Sequence, residues 1–354
     1  MRMPALTIDV KKIEHNTKTM VEMCGNLGIK VAAVTKGYCA IPKIAEASVR
    51  GGVHMLADSR IENLMKLKHI HIPKILLRLP MISQVDDVVE YADISLNSEY
   101  KTIKALSEKA IEKNKVHKVI LMVDLGDLRE GVWNTKAVAY IKDIVHLKGV
   151  ELIGIGTNLT CYGGVLPSVE NLGLLSNIAK EIEKVYNIKL EVVSGGNSSS
   201  VYLVQNRQIP DEINHLRFGE AILFGTEFAY GQRIENTYGD AFKLYAEVVE
   251  LKEKPSVPTG EIGLDAFGEK PTFVDRGIRK RAILGIGKQD IRIENIRPVD
   301  GKVIVIGASS DHLIIDITDS EKQYDIGDVV EFDIHYTGML TAMTSEYVQK
   351  VIID

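Results

Sequence analysis

Up to about Phe224 the chain alternates short apolar runs with amphipathic stretches. The runs are VAAVT (31–35), VHMLAD (53–58), KILLRL (74–79), DISLN (93–97), VILMVD (119–124), LIGIGT (152–157), LEVVSG (190–195) and LRFGEAILF (216–224). Each has the length of a strand, is rich in Val, Ile and Leu, and is apolar on both faces, as a strand covered on both sides must be. Between them lie segments such as SEYKTIKALSEKAIEKN (98–114), whose apolar positions recur every three or four residues, with Ser98 as a candidate N-cap. Eight strands alternating with helices predict an α/β fold of the (β/α)8 TIM-barrel type, with an open doubly wound sheet as the competing arrangement. After about Thr226 the period shortens to two, in FKLYAEVVEL (242–251), KVIVIG (302–307), HLIIDI (312–317) and DVVEFDI (328–334), punctuated by Gly and Pro. That texture predicts a C-terminal antiparallel β domain. The division is a barrel over 10–225 and a β domain over 226–354.

In a barrel, chemistry collects where the strands run out at their C-terminal ends. Read in order, those ends carry Lys36, Ser59 with Arg60, Arg78, Asn97, Asp124, Asn158, Asn197 with Ser198, and Arg217. A polar residue after one strand is an ordinary solvated loop. Eight converging on one mouth favour a site.

Composition narrows the partners. A net charge of -5 gives no footprint for nucleic acid or an anionic membrane surface. No apolar run approaches the ~18 residues that span a bilayer, and MRMPALTIDV lacks a signal-peptide core. The three cysteines, Cys24, Cys39 and Cys161, are few and scattered, so a cytoplasmic protein without disulfides is expected. His69 and His71 have no further ligand at helical spacing, and no metal site is expected.

Lys36 ends a buried apolar strand in VAAVTKGYCA, where desolvation turns an ammonium into a usable amine for a carbonyl cofactor; Tyr38, two residues on, is placed at the same mouth. SGGNSSS (194–200) follows a strand and leads into VYLVQ, a glycine- and hydroxyl-rich turn suited to an anion. HLRFGEAILFG (215–225) sets Arg217 at a strand end, with Gly219 and Glu220 after it. The loops after strands seven and eight form the usual phosphate site of a barrel. With an inward lysine after the first strand, they point to pyridoxal phosphate.

On these motifs the chain resembles the alanine racemase family, pyridoxal-phosphate enzymes built as a barrel followed by a β domain. TIDVKKIEHN (7–16) resembles the family's opening strand, which joins residues 1–9 to the β domain. Lys36 falls on the family's Schiff-base lysine. MVDLGDLREG (122–131) is similar to K-x-D-T-G-M-x-R-x-G, placing Arg129 on the arginine for the substrate carboxylate. NSSS aligns Asn197 and Ser198 with the phosphate segment, LRFGEAILFG aligns Arg217 with the arginine facing the pyridine nitrogen, and TSEYV (344–348) aligns Tyr347 with a tyrosine that touches the phosphate. The resemblance implies a homodimer with shared active sites.

Three departures matter. GEIGLDAFG (260–268) replaces the motif whose tyrosine is the second acid/base, leaving Asp265 or Phe267, depending on register. Met122 stands where a lysine is usual, and Asn158 where a histidine is. GASSDHLIID (307–316) places Ser310 and Asp311 on the substrate side. With KGYCA and RFGEAI, these changes resemble the ornithine racemase branch. Asp265, Asp311 or Glu220 would then meet a distal ammonium group. The expected function is racemisation of an amino acid, with ornithine first and alanine second, Lys36 and Asp265 moving the proton. A basic amino acid decarboxylase of the same architecture would carry a C-terminal cysteine motif, and no cysteine follows Cys161. A carrier that holds the cofactor without turnover would be a bare barrel.

Overall fold

The computed structural model describes residues 1–265, 267–268 and 270–354. It divides into two compact units, Val10–Gly239, and Met1–Asp9 with Asp240–Asp354. Strand β1 (Ala5–Asp9) belongs to the second; α1 (Val10–Gly25) opens the first.

In the larger unit the elements follow as β2 (Lys30–Val34), α2 (Pro42–Arg50), β3 (Met55–Asp58), α3 (Ile61–Lys66), β4 (Lys74–Leu76), α4 (Val85–Tyr91), β5 (Ile94–Asn97), α5 (Tyr100–Glu112) and β6 (His117–Asp124). A short β7 (Val132–Trp133), α6 (Ala137–Tyr140), β8 (Val150–Gly156), α7 (Val169–Tyr186), β9 (Val192–Ser194), α8 (Val201–Gln205), β10 (His215–Phe218) and α9 (Glu220–Phe224) complete it. Eight parallel strands close in the order β2-β3-β4-β5-β6-β8-β9-β10, with β10 returning to β2 and β5 pairing β6. The open-sheet alternative is therefore excluded. Inside the barrel, Ala32, Val34, Ala57, Ile75, Leu96, Ile120 and Met122 form one buried cluster, mixing small and large side chains as a narrow interior requires. Gly154 in β8 shows how tight the wall is, because a Cβ there would lie 2.1 Å from the Val192 carbonyl oxygen.

Three expectations need correction. LRFGEAILF is not one strand: β10 stops at Phe218 and α9 begins at Glu220, closed by Gly225 at φ 60°. Ser98 does not cap α5, since Glu99 holds the cap position with no side-chain bond. Residues 226–239 pack with the barrel unit, not with the β strands. Thr226 bridges Arg233, Thr237 Oγ1 donates to Gly225 O at 3.2 Å, and Asn16 on α1 exchanges hydrogen bonds with Tyr238 at 2.8 and 2.6 Å.

The smaller unit contains β11 (Phe242–Pro255), β12 (Ile278–Leu284), β13 (Ile296–Pro298), β14 (Ile304–Ala308), β15 (Leu313–Asp316), β16 (Val329–Ile334), α10 (Tyr336–Thr344) and β17 (Gln349–Ile353). Its strands run in the order β13-β16-β11-β12-β15-β14, all antiparallel, while β1 joins β11 antiparallel and β17 parallel. Alternate residues of β11, namely Phe242, Leu244, Ala246 and Val248, are buried, as the period of two requires. Helix α10 lies outside the all-strand expectation.

Candidate active site

Strand β2 ends at Val34, and one tight helical turn, Lys36–Tyr38, begins at once, so Lys36 stands on the C-terminal rim. The turn is fixed from below. Thr35 donates its amide to Ala57 O at 2.8 Å and its hydroxyl to Asp58 Oδ2 at 2.5 Å. Asp58, at the end of β3, is buried and also accepts the Arg60 amide at 2.8 Å and the Asn63 side-chain amide at 3.2 Å. Burial raises the Asp58 pKa against the pull of those hydrogen bonds. Lys36 is exposed at the rim. Enclosure by protein lowers its ammonium pKa, with Arg129 acting in the same direction, while Cys161, Asp58 and Glu130 oppose it. The lowering enlarges the fraction of free amine near neutral pH.

On the strand next to β2, β10 places Arg217 in the interior at 3% exposure. Its guanidinium donates to Ser194 Oγ, to Thr157 O at 2.9 Å and to Asn158 Oδ1 at 3.4 Å. Ser194 in turn meets His215 Nδ1 at 2.9 Å, so the arginine is held from two strands. Burial pulls the guanidinium down to about 10, which still leaves it cationic at neutral pH.

The loop after β9 wraps beside it. Asn197 caps the following turn, accepting the Ser199 amide at 2.8 Å, and donates to Asn158 Oδ1 at 3.0 Å and Leu159 O at 2.9 Å. Ser198 Oγ accepts the Ala221 amide at 3.2 Å, tying this loop to the start of α9. Gly196 has φ 108°, and a Cβ there would lie 3.3 Å from Ser200 Oγ. Gly219 precedes α9, and Glu220 opens it, half-buried. Burial, reinforced by Glu227, raises Glu220 to about 7.

Two side chains that sequence reasoning did not select complete the mouth. Asp127 is buried, and its carboxylate accepts the amides of Cys161, Tyr162 and Val165 at 3.3, 2.9 and 3.1 Å. This latches the loop after β6 to the loop after β8. Cys161 then receives the Asn158 amide at 2.9 Å and the Asn197 amide at 3.6 Å on Sγ. The only sequence signal was their position just past strand ends. Arg129 is on the rim, but both its Nε and its Nη2 face the carboxylate of Glu130, the latter bond at 2.5 Å.

Tyr38, in the same turn, is buried at 1% exposure, and its hydroxyl has no hydrogen-bond partner in the protein. The larger unit thus brings together Lys36, Arg129, Asn197, Ser198, Arg217, Gly219 and Glu220.

Asp265, Ser310, Asp311 and Tyr347 lie in the smaller unit. There Asp265 Oδ1 accepts the Phe267 amide at 2.8 Å, and Lys288 stands 3.9 Å over the Phe267 ring. The Lys288 and Gln289 amides donate to Ser309 O and Ser310 O at 2.9 and 3.0 Å, and Ser310 Oγ donates to Asp311 Oδ2 at 2.7 Å. Ser345 joins Asp290 at 2.7 Å, and the Tyr347 amide joins Ser345 Oγ at 3.1 Å, leaving Tyr347 64% exposed. Ser310 and Asp311 therefore adjoin the 287–290 segment, while Phe267 and Ser345 link Asp265 and Tyr347 to it. No group of three or more metal-binding side chains occurs among the described residues.

The family model described as alanine racemase, N-terminal domain, matches residues 8–227. An ornithine racemase of Acetoanaerobium sticklandii is 49% identical over 351 residues, covering 99% of both chains. A lysine racemase of Thermotoga maritima is 43% identical over 350 residues, covering 98% of both. The structure of alanine racemase from Bartonella henselae, with covalently bound pyridoxal phosphate, superposes with a TM-score of 0.77 at 20% identity over 100% of both chains. The chain belongs to the alanine racemase family. It is a pyridoxal-phosphate-dependent amino acid racemase.

The mouth fits that cofactor. A lysine with lowered ammonium pKa suits an aldehyde, a buried cation suits a ring nitrogen, and the Gly196 to Ser200 loop suits a phosphate. Beside that loop the buried hydroxyls of Thr157 and Ser199 have no partner in the protein.

Proposed function

We propose that the protein interconverts L- and D-ornithine. What carries this reading is the 49% identity to an ornithine racemase, with a lysine racemase at 43%. Lys36, Asn197, Ser198, Gly219 and Arg217 would hold the cofactor, with Tyr347 at its phosphate. Pyridoxal phosphate, when bound, supplies an electron-withdrawing ring that acidifies the Cα–H of an attached amino acid.

The remaining work falls to side chains. Arg217 stays cationic and has no proton to give the ring nitrogen readily, which limits how far charge spreads and favours return of the proton to Cα. Arg129 orients the substrate carboxylate, with Ser310 and Asp311 on the substrate side. The Lys36 amine takes or returns the α-proton on one face, and Asp265 serves the other. Deuterium wash-in from each enantiomer tests that assignment: Asp265→Asn should retain exchange from one enantiomer only, and equal retention from both would reject it.

The protein is proposed to act in the cytoplasm as a homodimer sharing its active sites. No helix among the described residues is long and apolar enough to cross a membrane. Light scattering at low micromolar concentration should give twice the chain mass, and a monomer that racemises at full rate would reject the shared site.

The direct test is optical: L-ornithine should lose its circular dichroism in the presence of the holoenzyme, and L-alanine should do so much more slowly. Faster loss with alanine would reject the ornithine reading.

A further inference from the structure

Resting on the proposal that Arg129 takes the substrate carboxylate and ornithine is the substrate, we infer that Glu130 is the residue that selects an amino acid bearing a second, distal ammonium group. The loop that carries it is a rigid excursion from the rim. It leaves at the end of β6 and returns as β7, whose Val132 and Trp133 pair with Val123 and Asp124. Asp124 Oδ1 accepts the Gly126 and Leu128 amides at 2.8 and 3.3 Å. Gly131, at φ 134°, leaves no room for a side chain, because a Cβ would lie 2.5 Å from the Asp124 nitrogen. Asp127 fixes the crest to the 161–165 loop. Such a loop presents adjacent side chains in a constant arrangement.

On it, Arg129 and Glu130 form one two-point ion pair, with the Glu130 side chain only 17% exposed and Arg129 at 42%. The Glu130 charge also acts on Lys36 and on Arg217, in each case favouring the cation. When the substrate carboxylate takes Arg129, Glu130 loses its partner in a partly dehydrated place. Arg217 is already committed to Ser194, Thr157 and Asn158, and Lys36 would act on the α-proton as a free amine. An incoming δ-ammonium group restores the pair. An uncharged side chain of the same length leaves the carboxylate unpaired, so the site both attracts the dibasic substrate and rejects the neutral one.

The other carboxylates are weaker candidates. Asp265 holds the turn at Phe267, Asp311 takes the Ser310 hydroxyl, and burial keeps much of Glu220 neutral at pH 7.

The experiment compares ornithine with norvaline, which has the same five-carbon chain without the ammonium, in the wild-type holoenzyme, Glu130→Gln and Glu130→Asp. Thermal unfolding and cofactor absorbance report whether each variant is folded and loaded. For Glu130→Gln, KM for ornithine should rise roughly tenfold or more, with kcat little changed and norvaline kinetics constant or improved. Glu130→Asp, which keeps the charge, should recover part of the preference. Equal losses on both substrates, or none on either, would overturn the inference. A wild-type enzyme that prefers norvaline would instead overturn the ornithine reading itself, before any variant is compared.

Discussion

The two ends of the barrel contrast sharply. The N-terminal end holds a hollow of about 810 Å³, lined among others by Lys30, Lys74, His117, Lys118, Glu191 and His215. Its charges are settled locally: Lys74 Nζ donates to Ile70 O and Ile72 O at 2.8 and 3.2 Å, and Lys118 faces Glu191 at 3.8 Å. The C-terminal mouth instead gathers Lys36, Arg129, Glu130, Asn158, Cys161, Asn197 and Arg217, and hydroxyls beside it lack partners. Space alone therefore does not mark the site. Convergent polar groups at strand ends do; an unpartnered polar atom alone does not, since His215 Nε2 beside the N-terminal hollow also lacks one.

The largest effect that sharpens this contrast is expected at Lys36. Lys36→Ala should lower racemisation more than roughly 1,000-fold, since it would remove both the proposed cofactor anchor and a proposed proton-transfer group. Lys118→Ala, at the opposite end, should stay within about twofold. Comparable losses in initial-rate assays would erase the distinction between the ends.

Arg217→Met comes next. It leaves Ser194 Oγ, Thr157 O and Asn158 Oδ1 without their donor, so a stability loss of about 2–4 kcal/mol is expected by urea unfolding, together with loss of activity. A stable, active variant would show that the guanidinium is neither needed for packing nor placed at the ring.

The ends should also respond oppositely to pH. Burial lowers His117 to about 4 and His215 to about 3, the latter with Arg217, His54 and Lys30 adding to the effect. The unfolded chain binds those protons near pH 6.5 and the folded chain does not. Stability is thus fully present above pH 6.5 and lost as pH falls toward 4, by about 2 kcal/mol per histidine at pH 5. Urea midpoints should fall between pH 7 and 5, with a smaller fall in His117→Gln; an unchanged slope would mean that His117 is not held neutral.

Glu220 should act in reverse and more weakly. Its raised value means that the folded apo-protein holds a proton the unfolded chain releases above pH 4.5, so its contribution declines as pH rises toward 7. Glu220→Gln should stabilise the apo-protein at pH 8 by about 1–2 kcal/mol and do little at pH 4. Stabilisation at both pH values would point to packing instead.

Much of the barrel was legible because each strand is a short run apolar on both faces, bounded by polar residues. The reading failed where an apolar run continued without a change of texture. In LRFGEAILF, Gly219 alone separates strand from helix, and in YTGMLTAMT a helix follows strands with no period of two to contrast it. The candidate site was legible where a single charged residue ends a strand, as with Lys36 and Arg217. The Thr35–Asp58 anchor, the Asp127 latch and the Asn197–Cys161 contact depend on partners 23 to 38 residues away, which local spacing does not encode.

The measurement that tests the account most directly is borohydride reduction of the holoenzyme followed by peptide mapping. The account predicts a single pyridoxyl-modified peptide containing Lys36 and loss of that adduct in Lys36→Ala. A stable adduct on another lysine, such as Lys30 or Lys74 at the opposite end of the barrel, would contradict it.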